Sequence, residues 1–259
     1  MMRPVLRYHG GKFRLAPWII SHFPTHGIYV EPFGGGGSVL LRKEAVQEEV
    51  YNDMDGDVVN VFRVLRDKEL AQALFEALTL TPYAREEYLE AYEHSDDPVE
   101  RARRIIVRSF MGQGSNACTK ATPNGWRSKR MGGGWPVRDW NSYPKEVEGF
   151  YHRFKSVTIE NRDATEVIKM YDSNDTFFYI DPPYMRSTRT TTGDSYKHEM
   201  TAGDHINLRR ALDGIMGKAA VSGYRSEVYD ALYSEWRQVE KETTGEAQSK
   251  RTEILWMNY

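Results

Sequence analysis

The sequence is poor in cysteine and has no long apolar run. Its 259 residues include one cysteine, Cys118, which excludes an internal disulfide and favours a reducing compartment. No stretch approaches the 18 or more apolar residues of a membrane span, and the first residues lack the apolar core of a signal peptide. We therefore expect a cytoplasmic protein that has no membrane partner.

Several motifs that carry chemistry are also absent. The seven histidines and the lone cysteine form no metal-ligand spacing, so we predict no zinc or other metal. No Gly-x-Ser-x-Gly elbow is present, which leaves a serine hydrolase without support. The glycine run at 34–37 is not followed by Gly-Lys-Ser/Thr, and it is therefore not a phosphate-binding P-loop.

The formal net charge of −2 conceals an uneven distribution. Residues 99–155 contain twelve Lys or Arg and four Asp or Glu, a local charge of +8, which leaves −10 for the rest of the chain. An asymmetry of this size fits a localised anion-binding face, such as a nucleic-acid contact. A solvated basic surface explains the charge equally well, so other motifs have to decide between the two.

The chain begins with the pattern of a strand, a helix and a second strand. A short apolar strand at 28–30 leads into the glycine turn, a helix begins at Ser38, and a strand follows at 49–51. Further strands are predicted later in the chain, the last two as a hairpin: 157–159, 176–180, 219–222, 236–243 and 253–259.

The middle of the chain has a different character. Apolar residues between Val58 and Leu74 keep helical spacing, and Asp97-Pro98 combines a capping acid with a first-turn proline for another helix. Residues 111–144 mix glycine, tryptophan and basic residues without a period, which predicts a loop or hairpin with a function. Thr201 begins a capping-box pattern before a later helix.

Together these patterns predict an α/β fold. Its simplest form is a Rossmann-like sheet built from residues 1–57 and 156–259. A basic, mostly helical insertion at 58–155 would project from that sheet.

The most informative motif is Asp181-Pro182-Pro183-Tyr184, which directly follows the apolar run at 176–180. A buried parallel strand brings its last residues to the carboxyl edge of the sheet, where α/β folds bind ligands. Two prolines lack amide donors and end the strand, which leaves a carboxylate, rigid carbonyls and an aromatic ring at that edge. These groups can accept both hydrogens of an exocyclic amine and stack on its ring. The motif therefore predicts a site that makes the amine of a base nucleophilic.

The glycine turn belongs to a second motif, which runs from Glu31 to Ser38. Glycines at a strand-to-helix turn allow the backbone to approach a ligand closely. An acid and a proline come directly before them, unlike in the dinucleotide-binding fingerprint. Asp53, just after the second strand, stands where this fold class places a carboxylate on ribose hydroxyls. A purely structural turn is the alternative interpretation.

Two shorter motifs are less specific. Lys12, which follows two glycines, can reach a carboxylate or a phosphate, but a surface lysine after a turn has the same pattern. Asp163, which follows the strand at 157–159, can meet an adenine amine at the carboxyl edge. A helix cap explains Asp163 equally well.

In this order, the motifs resemble those of the Dam-type DNA adenine methyltransferases. The matching runs are Tyr8-His9-Gly10-Gly11-Lys12, the 31–38 motif and, after a basic insertion, residues 181–184. The resemblance continues through the runs at 221–224 and 253–259, whereas the insertion matches in position and character more than in sequence. It implies transfer of a methyl group from S-adenosylmethionine to N6 of an adenine flipped out of double-stranded DNA.

The resemblance also implies roles for single residues. The amino-acid end of the cofactor would lie against Tyr8, Gly11 and Lys12. Its methionine and ribose would lie against Glu31, Pro32, Phe33, Gly34, Gly35, Gly36 and Ser38. Asp53 would hold the ribose hydroxyls, and Asp163 with Ala164 the adenine edge. The target base would be held by Asp181, Pro182, Pro183 and Tyr184, with Asp181 also bordering the cofactor.

DNA contacts are expected from the basic insertion and from the residue before the cofactor motif. The basic candidates are Arg7, Arg101, Arg104, Arg108, Lys120, Arg127, Lys129, Arg130 and Arg138. Asn116, Trp126 and Trp135 are further candidates, for contacting a base or for filling the gap that flipping leaves. Phosphate contacts of this kind predict binding that weakens steeply with salt.

Two departures from the family pattern concern the target sequence. His9 replaces the small residue common before the paired glycines, and residues 111–116 fit the recognition segment loosely. The recognised bases therefore stay open. They could be GATC, the family's best-known target, or the relaxed set of a phage or prophage type. The presence of a restriction enzyme as partner also stays open. The alternative functions are an RNA or cytosine methyltransferase on the same scaffold and a catalytically silent nucleic-acid-binding relative.

Overall fold

The computed structural model describes residues 3–128, 135–188, 196–244 and 250–259, which form an α/β fold around a seven-stranded sheet. The strands are β1 (Ile28–Glu31), β2 (Glu48–Asn52), β3 (Thr158–Glu160), β4 (Thr176–Ile180), β5 (Lys218–Tyr224), β6 (Arg237–Thr244) and β7 (Lys250–Met257). Their order across the sheet is β3-β2-β1-β4-β5-β7-β6. The predicted Rossmann-like sheet is thereby confirmed.

The strand order reverses between β1 and β4, which lie side by side. These two strands pair in parallel, with Val30 opposite Phe178, and the parallel pairing extends outward to β2, β3 and β5. In an open parallel sheet, the point of reversal opens a crevice beyond the carboxyl ends of the strands. The segments that follow Glu31 and Ile180 both run into that crevice.

The hairpin predicted near the end of the sequence is also confirmed. β6 and β7 pair antiparallel, and β7 runs antiparallel to β5 with Glu253 opposite Tyr224. Because β7 opposes the parallel strands, its first half lies at the edge where those strands end. The hairpin therefore returns side chains to the crevice.

Helices cover both faces of the sheet. Around β1 lie α1 (Ala16–Ile20) and α2 (Ser38–Arg42). Between β2 and β3 lie α3 (Gly56–Arg66), α4 (Lys68–Leu80), α5 (Arg85–Glu90), α6 (Pro98–Met111), α7 (Pro136–Ser142) and α8 (Val147–Phe154). The later helices are α9 (Ala164–Met170), α10 (Ala202–Asp213) and α11 (Glu227–Leu232). Within the described ranges, no helix has the length and apolar content to cross a membrane.

The buried strand β4 separates two apolar clusters. Phe177 and Tyr179 belong to one cluster, and Phe178 and Ile180 to the other, because successive side chains of a strand point to opposite faces. All five residues of β4 are buried, and burying one such side chain contributes about 1.5–3 kcal/mol. β4 therefore fixes the position of the residues that follow it.

Two helices begin where the sequence predicts, whereas one predicted helix is divided in two. Asp97 caps α6, and Thr201 forms the predicted capping box of α10. The helical spacing at 58–74 is split in two, because the Asp67 carboxylate accepts hydrogen bonds from the backbone N–H of Glu69 and Leu70 and begins α4 there.

The prediction of a loop or hairpin over 111–144 is correct only in part. Gly112 and Trp126 form an isolated antiparallel bridge, but α7 begins at Pro136 inside this segment. A helix of seven residues that buries only Pro136 and Trp140 is too short to show a period in the sequence. The helices between β2 and β3 share one apolar cluster with a face of the sheet, and their status as a separate inserted domain stays a prediction.

Candidate active site

A cavity of about 430 Å³ lies at the carboxyl ends of β1 and β4. This volume is within the range of small-molecule sites. The structure gathers around it every residue predicted to bind the cofactor except Pro32: Tyr8, Gly11, Lys12, Glu31, Phe33, Gly34, Gly35, Gly36, Ser38, Asp53, Asp163, Ala164 and Asp181. The carbonyl of Pro32 instead accepts a hydrogen bond of 2.8 Å from the Asn52 side chain.

The glycine turn after β1 forms one wall of the cavity and has no room for larger residues. A Cβ at Gly34 would lie 2.2 Å from the Tyr51 ring, and Gly35 has a φ of +47°. The Tyr51 hydroxyl donates a hydrogen bond of 2.6 Å to the Gly35 carbonyl, which fastens the turn to β2. Side chains at either position would be strained or would clash, so the backbone itself faces the cavity.

Asp53, which follows β2, is tied to this turn. Its carboxylate accepts hydrogen bonds of 2.8 Å from the backbone N–H groups of Gly35 and Asp55. Burial raises the pKa of Asp53 to about 6, and the two backbone donors limit the rise. The carboxylate is therefore ionised at neutral pH, which suits it to accept hydrogen bonds from ligand hydroxyls.

Glu31, the last residue of β1, is an acid without a cation in contact. Its Oε1 accepts a hydrogen bond of 2.6 Å from the Tyr29 hydroxyl, and among the described residues no Lys, Arg or His nitrogen lies within 4.0 Å of it. Burial raises the pKa of Glu31 to about 8. A positively charged ligand group in the cavity would stabilise the ionised form.

Asp181, the first residue after β4, is held from two sides. Its Oδ1 lies 3.0 Å from Lys12 Nζ and accepts a hydrogen bond of 2.8 Å from Ser222 Oγ. Ser222 itself accepts a hydrogen bond of 3.1 Å from the Tyr179 hydroxyl. Within the described part of the chain, both contacts of Asp181 fall on Oδ1. Oδ2 is thus left to accept a hydrogen bond from a ligand.

Lys12 is charged in this arrangement. Burial alone would lower the pKa of its amine, but the carboxylates of Asp181 and Glu253 outweigh burial and raise that pKa above its usual value. The second carboxylate lies 3.8 Å from Lys12 Nζ. The lysine therefore stands between two acids, one at the end of β4 and one from β7.

Tyr184 packs beside this group of charges. Its side chain is buried, Lys12 Nζ lies 4.6 Å from its ring centroid, and its hydroxyl donates a hydrogen bond to Glu253. Its ring also meets that of Tyr224 edge to face, with centroids 4.8 Å apart. Of the two prolines before it, Pro183 lines the cavity and Pro182 is buried.

Asp163 caps a helix and also borders the cavity, so the two interpretations of it from the sequence do not exclude each other. Its carboxylate accepts a hydrogen bond of 2.8 Å from the backbone N–H of Thr165 and so caps α9. Asp163 and Ala164 also line the cavity. A capping role therefore does not remove Asp163 from the site.

Sequence reasoning missed several residues of the site. Ser222 and Glu253 contact Asp181 or Tyr184 from β5 and β7, and both are buried polar residues. Only Ser222 stands in an apolar run, and that mismatch is a signal in the sequence, because buried polar side chains need partners. Residues 196–200 also border the cavity, and their run of charged and aromatic residues gives no such signal.

Two of the arginines predicted to contact DNA are paired within the protein. Arg101 lies 2.8 Å from an oxygen of Asp57, and Arg104 lies 2.6 Å from an oxygen of Glu100. Their positive charges are therefore partly compensated, because Asp57 is also paired with Lys197 and Glu100 with Arg103. The excess of charge in the sequence overstates the charge offered to a partner.

Three other basic candidates differ from that pair. No carboxylate oxygen of the described residues lies within 4.0 Å of Arg108, Lys120 or Arg138. The Arg108 guanidinium stacks 5.1 Å from the ring centroid of Tyr92. Arg108 and Lys120 line a second cavity of about 280 Å³ that adjoins the first. Among the described candidates, these side chains carry the least compensated positive charge.

Arg7 is half-buried and Arg127 is buried. The backbone N–H of Arg7 donates a hydrogen bond of 2.6 Å to Ser109 Oγ in α6, which fixes the start of the 8–12 run to that helix. Arg127 is only 8% exposed, and its guanidinium lies 3.3 Å from Asp139. Arg127 therefore has a structural contact of its own.

The uncharged candidates are found at different depths. Trp126 packs against the apolar cluster, the Asn116 side chain accepts a hydrogen bond of 3.1 Å from Asn124, and Trp135 is 58% exposed. Two basic candidates lie outside the described residues, namely Lys129 and Arg130. The described residues contain no group of three or more His, Cys, Asp or Glu that could hold a metal ion.

Comparison with known proteins agrees with this geometry. Residues 8–248 match the family described as D12 class N6 adenine-specific DNA methyltransferase. A type II methyltransferase of Lactococcus lactis subsp. cremoris is 27% identical, over 100% of this chain and 96% of the relative. A DNA adenine methylase of Vibrio cholerae serotype O1 is 27% identical over 84% of this chain and 77% of the relative. One from Escherichia coli (strain K12) is 24% identical over 83% and 77%.

Proposed function

The chain belongs to the D12 class of N6 adenine-specific DNA methyltransferases, and from this we propose that residues 181–184 hold the target adenine beside a cofactor in the 430 Å³ cavity. Site-specific methylation of adenine in DNA is the activity of the chain, and the family implies a methyl donor of the S-adenosylmethionine type. The proposal concerns which residues perform this activity and how.

A single observation carries the assignment of the target site. Asp181 leaves the buried strand β4 at the point of strand reversal, and its Oδ1 is held by Lys12 and Ser222. A carboxylate held on one oxygen presents the other in a fixed direction. Such a preorganised acceptor is what a reacting amine requires.

The residues around the cavity fit S-adenosylmethionine. Asp53 is ionised at neutral pH and suits the ribose hydroxyls, while Glu31, a buried acid without a cation in contact, suits the positively charged end of the molecule. Asp163 and Ala164 would border the adenine, and Tyr8, with Gly11, the amino-acid end. When bound, the cofactor supplies a methyl group on a sulfonium, which is open to attack by a nitrogen.

The target adenine has to leave the duplex to reach this site, at a cost of a few kcal/mol. Stacking on the ring of Tyr184 would recover about 1–3 kcal/mol. The two N–H groups of the amine would donate to Asp181 Oδ2 and to the carbonyl of Pro182. These hydrogen bonds draw the nitrogen lone pair out of the ring and make it nucleophilic.

The Asp181 carboxylate would also stabilise the positive charge on N6 and accept the excess N–H proton. With a sulfonium methyl donor bound, the attacking N6 would gain positive charge as the methyl group leaves sulfur, and the Asp181 carboxylate would stabilise that charge. The excess N–H proton passes to that carboxylate and then to solvent. The products are N6-methyladenine and a neutral thioether, so no oxidant or covalent intermediate is needed.

Double-stranded DNA would lie across the segment between β2 and β3. Its phosphates would contact Arg108, Lys120 and Arg138, whose charges are the least compensated among the described candidates. Phosphate contacts release counterions, so binding would weaken as salt rises. The division into a catalytic part at 1–57 and 156–259 and a recognition part at 58–155 rests on this placement.

Product analysis tests the proposed function against its alternatives. The protein and Asp181→Ala are incubated with S-adenosylmethionine and either unmethylated duplex DNA or RNA, and the digested nucleosides are identified by mass spectrometry. We expect N6-methyladenine from DNA with the wild type only. Methylcytosine, or a product from RNA alone, would overturn the substrate, and no product with retained cofactor binding would indicate a silent relative.

A further inference from the structure

We propose that Glu253 is a positioning residue for methyl transfer, which anchors the hydroxyl of Tyr184 so that the ring is fixed where the target base stacks. The proposal rests on the assignment of residues 181–184 to the target adenine. It assigns a function to a carboxylate that reaches the site from β7.

The sheet topology brings Glu253 to the active site. β7 pairs antiparallel with β5, and Glu253 stands opposite Tyr224, the last residue of β5. At that position the side chain lies at the carboxyl edge of the parallel strands. It is 3% exposed, which is costly for an acid unless the carboxylate is given partners.

Among the described residues, the Glu253 carboxylate has two side-chain partners, and both belong to the site. Its Oε1 accepts the hydrogen bond of the Tyr184 hydroxyl, and the same oxygen lies 3.8 Å from Lys12 Nζ. Burial raises the pKa of Glu253, while the charge of Lys12 opposes the rise. A buried acid with these two partners is coupled to the catalytic group, and its contacts extend beyond packing.

The hydroxyl is the far end of the Tyr184 side chain. A ring fixed only at Cβ can rotate about two side-chain bonds, and a hydrogen bond at the hydroxyl stops the rotation that swings the ring as a whole. The hydroxyl oxygen lies on the axis of the second rotation, which the edge-to-face contact with Tyr224 at 4.8 Å restrains. Glu253 therefore fixes the axis of the ring and Tyr224 its plane, and together they set the distance of a stacked adenine's amine from Asp181.

This geometry predicts a particular pattern of coupling. Removing the hydroxyl in Tyr184→Phe and removing its acceptor in Glu253→Leu break the same hydrogen bond. Each change would lower the single-turnover rate of methylation about tenfold, as the loss of one buried hydrogen bond does. The double variant would be no slower than the slower single variant, because the interaction can be lost only once.

The experiment measures single-turnover methylation of a duplex, with cofactor affinity and DNA affinity determined for each variant. Cofactor-dependent thermal stabilisation shows that each variant is folded. We expect both affinities to stay within about threefold of wild type, because the anchor acts on the flipped base after binding. Glu253→Gln retains an acceptor oxygen and would recover most of the rate lost in Glu253→Leu.

Rates that multiply in the double variant would overturn the proposal, as would an unchanged rate in Tyr184→Phe. Loss of cofactor affinity in Glu253→Leu would also contradict it and would assign Glu253 to Lys12 instead. Asp181→Asn, measured in parallel, distinguishes failure of the Glu253 anchor from failure of the target-site assignment. An inactive Asp181→Asn beside an unaffected Glu253 series rejects the anchor alone, whereas an active Asp181→Asn rejects the target site.

Discussion

The carboxylate of Asp53 accepts a hydrogen bond of 2.8 Å from the backbone N–H of Gly35, so the acid after β2 is bound to the glycine turn after β1. Two neighbouring strands thereby fix one corner of the cavity before any ligand enters. Burial raises the pKa of this carboxyl to about 6, which brings its titration close to neutral pH.

Cofactor affinity should therefore depend on pH through Asp53. The ionised carboxylate accepts hydrogen bonds from ribose hydroxyls, and protonation removes this capacity. Because the ionised form binds, the contribution of Asp53 to affinity is complete above about pH 6 and is lost as the pH is lowered through that value, by up to about tenfold per pH unit. Calorimetry from pH 5 to pH 8 checks this prediction. Asp53→Asn should bind the cofactor weakly at every pH in this range. A pH dependence of affinity like that of the wild type in this variant would contradict the assignment.

We predict that Glu31 releases a proton when the cofactor binds. Burial raises the pKa of Glu31 to about 8 in the free protein, so the carboxyl is mostly protonated at pH 7. A cationic ligand lowers this pKa and expels the proton, and affinity should rise with pH up to about 8. Calorimetry at pH 7 in two buffers of different ionisation enthalpy counts the protons. We expect nearly one proton from the wild type and none from Glu31→Gln; equal counts from both would refute this role.

Two arginines of α6 offer a matched comparison for DNA binding. Arg108 has no carboxylate partner among the described residues, whereas Arg104 is paired with Glu100 at 2.6 Å. Arg108→Gln should weaken DNA binding about tenfold and reduce the slope of log affinity against log salt by about 1. Arg104→Gln should change both quantities much less. Fluorescence anisotropy over a salt series gives both, and equal effects would show that internal pairing does not select the DNA contacts.

A buried ion pair should hold α8 to the sheet. Arg153 contacts both carboxylate oxygens of Glu49, at 2.5 and 2.9 Å, and Glu49 is 4% exposed. Arg153→Met leaves that carboxylate with Lys43 alone and should lower the free energy of unfolding by about 3 kcal/mol. The exposed Glu148→Gln on the same helix should change it by less than about 0.5 kcal/mol. Urea unfolding compares them, and similar midpoints would argue against the pair.

The sequence predicted the parts of the fold that depend on local chemistry. Apolar runs and turn residues located the strands, and the capping acid Asp97 located the start of α6. The break at Asp67 was missed, because apolar spacing continues across a cap that only the backbone geometry reveals. The helix at Pro136 was missed because it is short and buries few residues.

In the candidate site, too, only the residues that belong to a local motif could be predicted. Motifs that carry their own residues, such as the 181–184 run, could be placed at the sheet edge from sequence alone. Ser222 and Glu253 could not, because their contacts with the site depend on strand order and register. The ion pairs of the basic insertion were not predicted for a related reason, since pairs such as Arg101 with Asp57 join distant parts of the chain.

The most direct test of the account is the single-turnover rate of Asp181→Asn together with its cofactor affinity. The amide keeps the size of the side chain but loses the charge that stabilises the reacting amine. We expect cofactor affinity within about threefold of wild type and a methylation rate lower by at least about a thousandfold, in the range attributed to electrostatic stabilisation of a transition state. A rate close to that of wild type would contradict the assignment of Asp181 as the catalytic carboxylate.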